Sequence, residues 1–124
     1  MKTFDIILSK GIAEEIEFKL SDCVLSTEDR DEDWKISKQI LAKLGIIKSR
    51  KKYKFTIDEL SLIRCEIYST TEIMSGNFGE YSREDDPQFY NEYYAFSRLV
   101  NKIDKILKLQ GYTNNDIWRI NHTY

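Results

Sequence analysis

One stretch constrains what this chain can fold into more than any other. Between Asp86 and Gly111, the residues Phe89, Tyr93, Phe96, Val100, Ile103 and Leu107 recur at spacings of 4, 3, 4, 3 and 4, a single apolar stripe on an α-helix. Asp86 is placed to cap that helix, Pro87 suits its first turn, Lys108 meets the negative end of its dipole and Gly111 closes it. The rest of the chain is expected to cover this stripe.

The amino-terminal third is less decisive. Ile12, Ile16, Leu20 and Cys23 keep helical spacing, so a helix is expected over about 10–25, with Phe4–Leu8 as a short strand before it. Ile16, Phe18, Leu20 and Val24 also fit alternation, which leaves an α+β alternative with residues 4–25 as strands. A run of five acids in six positions, Glu28 to Asp33, reads as a solvated loop. Trp34, Ile40, Leu41 and Leu44 then mark a short helix stopped by Gly45.

Lys48 to Lys54 holds five basic residues in seven, either an exposed loop or a short strand leading to Phe55. The next helix has the clearest start. Thr56-Ile57-Asp58-Glu59 is a capping box, with Phe55 and Leu60 at the hydrophobic-staple positions. Leu60, Ile63, Ile67 and Met74 form its inner stripe and Gly76 ends it. In the tail, Ile117, Trp118 and Ile120 are expected to pack back on the body.

The fold expected is therefore mainly α: two antiparallel helical hairpins, about 10–45 and about 56–111, forming a four-helix bundle-like domain. A basic connector, 46–55, joins them, and 112–124 is a packed tail. With 124 residues, one domain is expected. Cys23 and Cys65 lie 42 positions apart without metal-type spacing, so buried free thiols are expected. The apolar run Ile6–Leu8 is too short for a signal peptide or a membrane span, and a cytoplasmic protein without membrane contact is expected.

Catalytic chemistry has no foothold. His122 is the one histidine, and the chain has no nucleophile elbow, phosphate-binding glycine loop or dinucleotide fingerprint. The acidic run lacks the central glycine and distal glutamate of a calcium loop. The expectation is a non-enzymatic protein with no cofactor and no metal.

The net charge of −2 conceals an uneven layout. In an up-down bundle one end collects nine acids against two arginines, a local charge of −7, while Lys48–Lys54 lies at the other end. Part of this is dipole complementation. Beside the acids, however, stand tyrosines at the flank of the stripe, each about 100° from a core residue. Asp29, Asp31, Glu32, Tyr81, Glu84, Asp85, Tyr90 and Tyr94 are thus the candidate partner-binding residues, because tyrosine supplies rigid apolar area with a polar tip.

The alternative is a weak nucleic-acid-binding regulator using Lys48, Arg50, Lys51, Lys52 and Lys54, with Tyr53 available to stack. A homodimer pairing the 89–107 stripe with its own copy is a third reading, although its aromatics suit globular packing better than a coiled-coil seam. In size, composition and absence of catalytic motifs the chain resembles small accessory proteins of phages and mobile elements, including anti-restriction and anti-CRISPR inhibitors. No residue motif ties it to one family.

Overall fold

The computed structural model describes residues 2–26, 32–46, 48–76 and 87–117. In chain order these form β1 (Phe4–Leu8), α1 (Lys10–Ser26), α2 (Glu32–Leu44), β2 (Lys51–Phe55), α3 (Ile57–Gly76) and α4 (Pro87–Leu109), followed by one helical turn at 114–117. The architecture is mainly helical with a short two-stranded antiparallel sheet. Strand structure at the amino-terminal end stops at Leu8. Residues 10–25, which alternation allowed as strands, are helical instead. The chain divides into two compact units, Met1–Glu66 and Ile67–Tyr124, with the boundary inside α3.

In the first unit, β1 and β2 pair with Phe4 opposite Phe55, Ile6 opposite Tyr53 and Leu8 opposite Lys51. The period of two follows from the pleat. Ile6, Leu8, Tyr53 and Phe55 are buried, while Asp5, Ile7, Lys52 and Lys54 on the other face are exposed. The basic run therefore divides: it enters the sheet at Lys51, and its tyrosine turns inward.

Helix α1 packs against α2, and α2 against β2. α1 buries Ala13, Ile16 and Leu20 at spacings of 3 and 4. Its start is set by Ser9, whose hydroxyl accepts from the Ile12 amide at 3.3 Å. α2 begins at Glu32, so the last two acids of the acidic run belong to its first turn, where the dipole favours them. Gly45, at φ +75°, ends α2, its amide donating to the Leu41 carbonyl at 3.2 Å in a left-handed cap.

The start of α3 is the capping box that Thr56 and Glu59 predict. The Thr56 amide donates to Glu59 Oε1 at 2.7 Å, and the Glu59 amide donates to Thr56 Oγ1 at 3.3 Å. Both staple residues, Phe55 and Leu60, are fully buried. From Glu59 to Cys65 seven consecutive residues are buried, nearly two full turns with no solvent side.

In the second unit, α4 carries the expected stripe. Phe96, Val100, Ile103 and Leu107 are buried together with Leu99, Tyr93 is half-buried, and Arg98, Asn101, Lys102 and Lys105 face water. A Schellman motif closes the helix at Gly111 (φ +95°), with the Tyr112 amide on the Leu107 carbonyl at 3.0 Å and the Gly111 amide on Lys108 at 3.1 Å. The turn after it has its own cap: Thr113 and Asp116 exchange hydrogen bonds of 2.8 Å and 3.1 Å. Ile117 is buried. Trp118 and Ile120 lie outside the described residues, as does the Asp86 cap.

Candidate functional site

Tyr90 and Tyr94 sit one turn apart on the first half of α4, just past Pro87. Tyr90 is half-buried and Tyr94 is 44% exposed, so the flank that the spacing assigns to them reaches solvent. The Tyr93 and Tyr94 rings meet edge to face, centroids 5.4 Å apart at 71°. Such packing holds Tyr94 against the helix while leaving much of its ring available. Nearby, the Gln88 amide donates to Glu92 at 3.2 Å across one exposed turn.

Of the acids expected beside these tyrosines, Glu32 is exposed in the first turn of α2, in the first unit. Asp29, Asp31, Tyr81, Glu84 and Asp85 lie outside the described residues.

The basic segment is resolved residue by residue. Lys48 is not a surface charge. Its side chain is 5% exposed, pairs with Glu17 of α1, and donates to the carbonyls of Gly45 and Ile46. This ammonium pins the turn after α2 to the flank of α1. Ile46 is left 97% exposed at the tip of that turn. Tyr53 is 4% exposed, with its ring stacked 5.9 Å from Phe55, so it offers no face for a base to stack on. Arg50, Lys51, Lys52 and Lys54 remain exposed; Lys51 Nζ lies 5.0 Å from the Tyr53 ring and Lys54 is 3.9 Å from Asp5. Sequence spacing alone did not separate the pinned lysine from the exposed cations, because the partner that distinguishes it, Glu17, is 31 positions away.

Two carboxylates, Glu59 and Glu66, are withdrawn from water. Glu59 is wholly buried; its Oε1 accepts from Lys43 Nζ at 2.5 Å and from the Thr56 amide, while Oε2 has no hydrogen-bond partner among the described residues. Its role is to join the end of α2 to the start of α3. Glu66 is half-buried, and burial raises its carboxyl above the ordinary value of 4.5; the Lys19 ammonium works against that rise and Asp33 adds to it.

Among the described residues no group of three or more His, Cys, Asp or Glu side chains is arranged to hold a metal. Cys65 is buried and forms no disulfide, and no described helix is long and apolar enough to cross a membrane. A shallow hollow past the end of α4, lined by Gln110, Gly111, Tyr112 and Asp116, is open to solvent, and Asp116 accepts there from the Thr113 amide. Compared with protein-family models, curated proteins and solved structures, the chain matches none.

Proposed function

We propose that this is a small non-enzymatic protein-binding module or inhibitor that engages a protein partner through an acidic, tyrosine-bearing surface. The observation that carries it is the exposed flank of α4, where Tyr94 keeps 44% of its surface in water with its ring braced by Tyr93. Rigid aromatic area of this kind is over-represented among interface hot spots. The reading takes the helices as a single four-helix bundle-like domain, so that Asp29, Asp31, Glu32, Tyr81, Glu84 and Asp85 gather at the end bearing Tyr90 and Tyr94. A dense anionic face there competes with nucleic acid for a basic groove, because it takes the place of phosphates. That suits a cytoplasmic accessory protein of a phage or mobile element, of anti-restriction or anti-CRISPR type.

The test is quantitative capture of partners from the native cell. Tyr90→Ala with Tyr94→Ala is expected to weaken a genuine partner at least ~30-fold, the usual scale of a hot-spot loss. Charge reversal at Asp29, Asp31, Asp85 and Asp86 is expected to abolish capture. Retention of every partner by both variants ends this reading. Light scattering of the unmodified protein at several concentrations separates it from a homodimer built on the α4 stripe.

A further inference from the structure

From β2 we infer a second binding surface, independent of the α4 flank: its outer edge takes the phosphate backbone of a nucleic acid. The sheet's described strands are two, so β2 has a strand partner on one side only. Arg50, Lys51, Lys52 and Lys54 are exposed along five consecutive positions, about 14 Å of extended chain. Against them the ribbon sets one acid, Asp5, which faces Lys54 in the register and pairs with it.

The distribution of these cations selects the occupant. Lys52 and Lys54 stand on the solvent face of the ribbon, while Lys51 belongs to the opposite face and emerges at its end. Side chains on both faces of a strand do not lie flat together on a lipid surface. They do converge on a linear polyanion running along the strand's edge, where every second backbone amide also points outward. The occupant is a phosphate backbone read by charge, not a set of stacked bases, because Tyr53 is turned into the core. The pinned Lys48 takes no part except to hold the turn that leads into the array.

The ion pair gives the inference a sharp test. With Lys54 engaged by Asp5, three cations are free, so binding of a labelled oligothymidylate should follow a log–log salt slope of about −2, and a duplex about −2.7. Freeing Lys54 by Asp5→Asn should strengthen binding and steepen the oligothymidylate slope by about 0.7. Arg50→Glu, Lys51→Glu and Lys52→Glu together should weaken it at least ~10-fold at low salt, since three phosphate contacts become repulsions. Circular dichroism of each variant confirms the fold.

Ile46→Ser should leave oligonucleotide binding unchanged. Three results overturn the inference: no anisotropy change for the unmodified protein at low ionic strength, an unaltered affinity in the folded triple variant, or binding of phosphatidylserine vesicles in place of oligonucleotide with loss on Ile46→Ser. Variants of Tyr90 and Tyr94 leave this assay untouched, so its failure and that of the α4 reading are separate events.

Discussion

The first two turns of α3 and the length of α4 are both helices with apolar anchors, yet water treats them differently. On α4 the buried residues Phe96, Leu99, Val100, Ile103 and Leu107 follow one stripe, while Arg98, Asn101, Lys102 and Lys105 between them face water. On α3 everything from Glu59 to Cys65 is buried, polar residues included: Ser61 donates to the Ile57 carbonyl at 2.9 Å, and Arg64 is enclosed with the rest. A helix covered on one side announces itself through its period, whereas one covered on all sides has no period to show. The clearest signal in the chain therefore marks the more exposed helix. The segment most withdrawn from solvent begins instead at the capping box, where the sequence signal is a hydrogen-bond motif.

Truncation around the two helices gives the largest expected effects. Leu60 and Leu62 project about 200° apart, so Leu60→Ala and Leu62→Ala should each cost about 2–5 kcal/mol despite pointing in opposite directions. On α4, Phe96→Ala should cost about 3–5 kcal/mol, whereas Asn101→Ala and Lys105→Ala should stay within about 0.5 kcal/mol. Denaturant melts of the five variants test this. A near-neutral result for either leucine would give α3 a solvent side and erase the contrast.

The polar start of α3 comes next. Lys43→Met leaves the Glu59 carboxylate buried with only the Thr56 amide to answer it, an expected loss of about 3 kcal/mol. Thr56→Ala removes one cap and should cost about 1 kcal/mol. If the two losses are equal in the same melts, the Lys43 pair contributes no more than an exposed ion pair would.

Glu66, where the enclosure of α3 ends, carries the smallest effect and the one that depends on pH. Its carboxyl is raised in the folded state, so the fold holds that proton more tightly than the unfolded chain does. Stability from this group is present below 4.5 and is lost as pH rises towards the raised value. Glu66→Gln should stabilise by up to about 0.5 kcal/mol at neutral pH. That gain should vanish below 4.5, which melts across the acid range will show.

Most of the secondary structure was legible because its signals are local. Gly45 and Gly111 stop their helices in the left-handed conformation, Thr56 and Glu59 form their box, and Phe4–Leu8 is the short strand expected before α1. Ser9 and the Thr113–Asp116 pair were missed although they are local too, because each stands beside a stronger signal: the helical spacing of Ile12, Ile16 and Leu20, and the Gly111 stop of α4. The basic run was legible as charge and illegible as geometry. Its division into a pinned lysine, an inward tyrosine and exposed cations is made by Glu17, Phe55 and the register with β1. The tyrosine flank followed from angle alone, since one residue is about 100° on a helix whatever surrounds it.

The pairing of the two strands has a consequence for how the chain is made. Phe4 meets Phe55, 51 positions later. At 5–20 residues per second, β1 leaves the ribosome about 2.5–10 s before its partner exists. Throughout that interval Ile6, Ile7 and Leu8 form an apolar run without a sheet to join, bounded by Asp5 on one side and Lys10 on the other. Charged neighbours of this kind restrain a nascent strand from pairing with other chains. The strand synthesised first is among the last parts of its unit to find its place.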